Sequence, residues 1–338
     1  MQAERIMPAE WHLQKAVQLT WPHKGTDWDY LLDEVESCFV EIAKQVVAKQ
    51  QLYIVSLEEE RLSTFFTNEE LKNIRFFKID SNDTWARDHG GITVFENGKS
   101  YLLDFTFNGW GMKFAAGLDN LITRNMFKMN AFAEHKYCNM GHLVLEGGSI
   151  ESDGQGTILT TAECLLSDNR NEYLSKSEIE QRLKEYLGAQ RVLWLQNGYL
   201  AGDDTDSHID TLARFCNDNT IAYVQCTNTN DEHYESLKAM ELELQALKQS
   251  NGEPYRLVSL PMASPVFDPD DGHRLPATYA NFLIINGAVL FPVYNVETDT
   301  IALEAIKKAF TDREIVAVDC SVLIRQHGSL HCVTMQYF

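Results

Sequence analysis

The sequence predicts an α/β fold, a five-bladed, pseudo-symmetric propeller of ββαβ units. Three observations predict it. Tight-turn signals recur between short apolar runs, at Glu96-Asn-Gly98, Asp153-Gly-Gln-Gly156, Asn217-Asp-Asn219 and Asn286-Gly287. Downstream of the last three comes an amphipathic stretch and then another apolar run. Finally, the start of the chain offers a unit without its opening strand, and the end offers a strand without a helix. Joined, they would make a fifth unit and close a ring.

The elements follow in order. Val17-Gln-Leu-Thr-Trp21 and Leu52-Tyr-Ile-Val55 read as strands around a helix from about 28 to 49. The next unit starts near Asp88, turns at Asn97-Gly98 and continues as Tyr101-Leu-Leu-Asp-Phe105. The clearest unit opens as a strand at 142–151 and resumes at Thr157-Ile-Leu-Thr-Thr161. It proceeds through a helix at 177–187, stopped by Gly188, to Val192-Leu-Trp-Leu195. Another pairs a strand at 208–215 with Thr220-Ile-Ala-Tyr-Val-Gln225, then a helix at 235–249 and a strand at 255–260. A further unit has strands at 279–285 and 289–293, a helix at 301–310 and a strand at 314–318. The strand at 331–336 closes the set. No Pro/Gly-rich linker interrupts the chain, so residues 1–338 read as one domain, its two terminal segments jointly completing one blade.

Composition narrows the function classes. The chain is 44% hydrophobic and 23% charged, as in a soluble globular protein. The net charge is −20, with 29 basic against 49 acidic residues, which argues against nucleic acid and favours the approach of a small cation. No run approaches the length of a membrane span, and no secretory leader is apparent. Seven scattered cysteines without a Cys-x-x-Cys pair suggest reduced thiols rather than a disulfide framework or zinc site. The expectation is a cytoplasmic protein without membrane contact.

Four motifs carry chemistry: Trp85-Ala-Arg-Asp-His-Gly-Gly91, Glu146-Gly-Gly148, His208-Ile-Asp210 and His331-Cys332. Each falls at or near an opening strand, and in a ring those strands converge. A thiol, an imidazole and carboxylates would then share one pocket, and the spare carboxylates call for a cationic substrate. Strand alternation would set His208 and Asp210 on one face. Taken singly, each residue has an ordinary alternative. Cys332 could be a buried strand cysteine, as the other six are read. His208 could be a hydrogen-bonded surface histidine, Asp88 a structural partner of Arg87, Trp85 a core residue and Glu146 a turn carboxylate. A carboxylate among Leu143-Val-Leu145 and two glycines would nonetheless be partly buried and need a partner. The acidic loop Asp203, Asp204, Asp206 lacks a second histidine at ligand spacing and does not fit an EF-hand, so no metal is expected. No nucleotide fingerprint is present, so no organic cofactor is expected either.

Together these motifs resemble the guanidino-group-modifying superfamily, the penteins, and within it the agmatine deiminase family. The resemblance runs from Met7-Pro-Ala-Glu10 and Thr20-Trp-Pro22 through Phe107-Asn-Gly-Trp-Gly111, His208-x-Asp-x-x-Ala-Arg-Phe215 and Tyr279-x-Asn281 to His331-Cys332. It implies the five-bladed propeller. It also implies Cys332 as nucleophile, His208 as general acid/base oriented by Glu146, and Asp88 and Asp210 as the carboxylates clamping the guanidinium. Trp85 resembles the aromatic wall, Trp110 falls among the substrate-binding positions, and Asp204 stands near the distal amine. The implied substrate is agmatine, with no cofactor, and relatives are often dimeric or larger. Departures fall around the pocket: Gly328-Ser-Leu330 for a frequent Gly-Gly-Asn run, Ser207 and Met112 for frequent glycines, Thr211 for a frequent asparagine. A deiminase of arginine or peptidyl-arginine, an amidinotransferase and a silent guanidine-binding protein are the rivals.

Overall fold

The computed structural model describes residues 5–338. It is an α/β fold with five separate sheets among the described residues, each open rather than closed on itself. The central ladders repeat one pattern. An opening strand pairs antiparallel with the next, which pairs parallel with a third across a helix.

Ile92–Glu96, Lys99–Thr106 and His135–Val144 form the first such set, with Arg5–Ile6 added at its edge. Ile150–Ser152, Thr157–Thr161 and Arg191–Leu195 form the second. Ala213–Asn217, Thr220–Gln225 and Arg256–Pro261 form the third, and Leu283–Ile285, Ala288–Val293 and Glu314–Asp319 the fourth. The fifth joins distant parts of the chain. Thr334–Tyr337 pairs antiparallel with Ala16–Thr20, which continues to Gln51–Val55 and Ile74–Phe77.

Local chemistry explains the best-formed elements. Helix Lys176–Leu187 begins with a capping box from Ser175 to Glu178 and ends at Gly188 with φ 75°. A Cβ on Gly188 would lie 1.9 Å from the Arg5 carbonyl, so glycine is required twice over. The Asn97-Gly98 hairpin has positive φ at both residues, 51° and 72°, as a type I′ turn demands. Helices Leu32–Val47, Tyr234–Ala246 and Asp299–Ile306 fall where the apolar period places them, each ending short of the expected limit. Their buried faces pack on the sheets, as where Phe39 and Ile42 share an apolar core with Leu290 and Phe291.

The structure corrects the opening strands. The expected strand at 142–151 is divided: His135–Val144 belongs to the first sheet, Gly147–Ser149 is a 3-10 turn, and only Ile150–Ser152 opens the second. The expected strand at 208–215 begins with a 3-10 turn at Ile209–Thr211 and becomes extended at Ala213. The last strand starts at Thr334, after a turn that contains Cys332. Each motif therefore sits in a tight turn just before its strand, not on it. The apolar residues that follow disguise the turn, because their run looks continuous.

Candidate active site

Five turns, one before each opening strand, bring the motif residues together. Asp88 lies in the short helix Ala86–His89, and Glu146 leads into Gly147–Ser149. His208 and Asp210 flank and occupy the 3-10 turn Ile209–Thr211, and Cys332 is in the turn before Thr334. The fourth turn contributes Asn281, whose place was visible in the sequence but whose role was not. Its Oδ1 accepts from the Cys332 thiol at 3.3 Å and from the backbone N–H of His331 at 2.8 Å.

The polar groups are buried and close. His208 Nδ1 lies 3.7 Å from Asp88 Oδ1, and its Nε2 lies 3.4 Å from Glu146 Oε2. Cys332 Sγ is 4.0 Å from Asp210 Oδ2. Asp88 Oδ1 accepts the Gly148 N–H at 3.0 Å, and Oδ2 accepts the Trp110 indole N–H at 3.0 Å. A Cβ on Gly148 would meet His208 Nδ1 at 2.6 Å, Asp88 Oδ1 at 2.9 Å and Asp210 Oδ2 at 3.1 Å. Glycine is needed there because three polar side chains converge on that backbone. His208 and Asp210 do face one cluster, but through the turn geometry and not through strand alternation.

A cavity of about 140 Å³ opens onto this cluster, lined by Trp85, Asp88, Trp110, Asp204 and Cys332. His208, Glu146 and Asp210 stand behind that lining, fully buried. Asp27, Asp83 and His327 complete its mouth, and none of the three stood out in the sequence. Trp85 packs on Gly328, where a Cβ would come within 2.1 Å of the ring. Trp110 holds a left-handed backbone, φ 54°, an uncommon conformation for so bulky a residue.

The electrostatics set protonation states. Burial pushes the Asp88 carboxyl up, against the opposing pull of His208. Burial disfavours a charged His208, yet Asp88 and its other neighbours raise it well above the ordinary imidazole value. Burial also works against ionised Glu146, but His208 and Arg170 together hold it low. Asp210 is lowered despite burial, chiefly by its hydrogen bond from His331. The Cys332 thiol is pushed far up by burial and by the carboxylates of Asp210 and Asp88. At the mouth, burial brings Asp204 and Asp83 each to about 6.

The sequence missed Arg170. Glu146 needed a partner and His208 was the natural candidate, but the nearer one is Arg170 Nε at 2.7 Å. The signal was indirect: a buried carboxylate demands a cation, and nothing near Glu146 in sequence supplied one.

Fold and site together define a pentein-type α/β protein. The model of the Porphyromonas-type peptidyl-arginine deiminase family matches residues 6–337. The chain belongs to that family. It is similar to a solved Porphyromonas gingivalis protein provisionally described as an arginine deiminase, with 54% identity over 98% of each chain and a TM-score of 0.95. It is similar also to the agmatine deiminase of C. jejuni, solved as a cysteine-to-serine variant with substrate bound. There the identity is 40% over 100% of this chain and 98% of that one, with a TM-score of 0.92. A Shewanella baltica protein provisionally named agmatine deiminase is 32% identical over 98% of this chain and 93% of its own length.

Proposed function

We propose that this chain is an agmatine deiminase, hydrolysing agmatine to N-carbamoylputrescine and ammonia through a thiouronium intermediate on Cys332. One observation carries the reading. Asp210, whose Oδ2 lies 4.0 Å from Cys332 Sγ, keeps its Oδ1 buried without a hydrogen-bond partner among the described residues, and Asp88 lines the same cavity as that thiol. Unpaired buried groups of this kind are costly, so they mark the place of a ligand. A planar cation with several N–H donors suits two carboxylates, which makes a guanidinium the fitting partner.

The chemistry follows from these groups. The substrate cation offsets Asp88 and Asp210, which otherwise hold the thiol protonated, and so favours the thiolate. The thiol proton passes to solvent and ends on the product ammonium, Cys332 Sγ bonds to the guanidinium carbon, and His208, oriented by Glu146, protonates the amine nitrogen whose bond to that carbon breaks, so that ammonia departs. The neutral His208 then takes a proton from water, whose oxygen bonds to the same carbon and expels the thiol. Guanidinium and water become a ureido group and ammonium. Thiol, imidazole and carboxylates suffice for these steps, so no metal or organic cofactor is invoked. Trp85 and Trp110 wall the alkyl chain. Asp204, with Asp83 across the cavity, receives the distal ammonium and disfavours the α-carboxylate of free arginine.

The five sheets act as propeller blades around this cluster, in one catalytic domain whose terminal segments share a blade. No helix among the described residues is long and apolar enough to cross a membrane, and we place the enzyme in the cytoplasm. The test is ureido-product formation with agmatine, free arginine and a blocked arginine peptide, without added metal. Turnover of agmatine alone supports the reading. Turnover of arginine or peptide instead overturns the substrate, and amidine transfer to an added amine overturns the reaction.

A further inference from the structure

The Arg170 guanidinium is fully buried and spans two parts of the site. Nε donates to Glu146 Oε2 at 2.7 Å, and Nη1 donates to Asp206 Oδ2 at 2.5 Å. Nη2 donates to the Thr205 carbonyl at 2.7 Å. The Thr205 hydroxyl in turn accepts the backbone N–H of His208 at 3.1 Å. On the outer side, Lys113 Nζ reaches Asp206 Oδ1 at 2.7 Å and the Asp204 carbonyl at 2.5 Å. One arginine thus ties the carboxylate behind His208 to the loop that carries Asp204.

The loop conformation needs such restraint. Asp206 and Ser207 both have left-handed backbones, φ 64° and 60°, which non-glycine residues hold only when their surroundings fix them. Asp203 supports them from within, accepting the Ser207 N–H at 2.7 Å. Glu146 is also shared unequally. Arg170 lies 2.7 Å from Oε2, His208 Nε2 lies 3.4 Å from the same atom, and Oε1 has no partner among the described residues. Whatever strengthens the hold of Arg170 on Glu146 weakens the hold of Glu146 on His208.

We propose that Arg170 is a positioning residue that couples the seating of the Asp203–Ser207 loop over the substrate to the alignment of His208. The proposal rests on the role of His208 given above. Asp206 is the sensor, since it touches Arg170 and not His208. Facing the His208 ring are Asp88, Glu146, Asp210 and the Cys164 thiol, with Arg170 behind Glu146 and Asp204 farther out. Asp206 itself makes no hydrogen bond to His208, and its carboxylate meets this group through Arg170.

The test is the pH profile of kcat/KM for agmatine in wild type, Arg170→Gln, Asp206→Asn and the double variant. His208 must be protonated to release ammonia, so its titration sets the alkaline fall in rate. Removing the Arg170 charge leaves Glu146 to His208, so the limb moves to higher pH and kcat falls about 100-fold, the scale of a misplaced catalytic group. Asp206→Asn frees Arg170 to draw harder on Glu146, so the limb moves to lower pH with a loss of roughly tenfold or less. The double variant behaves as Arg170→Gln alone. An unmoved limb in Asp206→Asn, or additive shifts in the double variant, overturns the coupling. NMR titration of the His208 ring reads the same shifts without substrate, so a wild-type chain that turns over nothing refutes the reaction and still tests this inference. Should Arg170→Gln fail to fold, Arg170→Lys takes its place, keeping the charge but not the bridge, and an Asp206→Asn shift that persists undiminished in that background overturns the coupling.

Discussion

Two buried charged clusters meet back to back, and they are built on opposite rules. In the first, Arg214 pairs with Glu151, reaches Glu10 at 2.8 Å and donates to the Phe282 carbonyl at 2.6 Å. His331 spans Glu10 and Asp210 at 2.7 Å on either side. Acid and base are matched within the chain. In the second, around His208, three polar atoms, Glu146 Oε1, His208 Nδ1 and Asp210 Oδ1, have no partner among the described residues. Asp210 belongs to both: its Oδ2 lies between His331 and the Cys332 thiol, and its Oδ1 has no partner among the described residues. Where the protein is its own partner, charges are balanced. Where they are left open, the partner must come from outside.

The largest effects test that contrast directly. Cys332→Ser is expected to abolish ureido product while the thermal melt stays near wild type, and a variant that retains substantial turnover removes the thiol from the mechanism. Next comes a pair with opposite signs. Arg214→Met strands Glu10 and Glu151 and should cost about 3–5 kcal/mol in urea unfolding. Asp88→Asn should lose most activity yet keep or gain stability. Burial raises the Asp88 carboxyl, so its contribution is stabilising when protonated at low pH and is lost as pH rises through the folded value. If Asp88→Asn destabilises as much as Arg214→Met, the contrast fails.

A smaller effect sharpens the reading of the mouth. Asp204 is brought to about 6 by burial, with His327 opposing and Asp203 reinforcing the shift. The KM for agmatine should therefore rise as pH falls through about 6, because the protonated acid no longer attracts an ammonium. Asp204→Asn should raise KM at pH 8 more than it lowers kcat and flatten this dependence. A dependence that survives the substitution reassigns the amine to Asp83. Smallest is Met112→Gly. Met112 is 71% exposed with φ 66°, so glycine relieves strain at the price of a freer unfolded chain. Denaturation should show a gain of no more than about 1 kcal/mol, with unchanged kinetics.

Much of the architecture was legible because its signals are local. Ser175, Glu178 and Gly188 frame their helix within a residue of the expected span, and Asn97-Gly98 and Asn286-Gly287 turn where expected. Helix Asp119–Lys128 did not stand out, because asparagine, threonine and aspartate dilute its pattern. Strand Ile74–Phe77 also escaped notice, since its pairing with Gln51–Val55 is fixed only in the assembled sheet. The site residues were readable as motifs, but their backbone was not: turns such as Ile209–Thr211 run straight into apolar strands. Arg170 and the role of Asn281 were beyond reach for another reason. Each is defined by partners far away in sequence, and a single chain carries no local mark of such a pairing.

The ladder that sets Thr334 opposite Leu19 has a consequence for how the protein comes alive. Among the ladders of the described residues that pairing closes the longest loop, so it is the ladder that the folding chain should find slowly. Asp88, Glu146, His208 and Asp210 belong to segments whose sheets need no help from it. The segment it fixes carries both Cys332, the proposed nucleophile, and His331, which bonds Asp210 at 2.7 Å, so the thiol arrives together with the last support of the acidic cradle. On the proposed mechanism, catalytic competence then reports on completed folding.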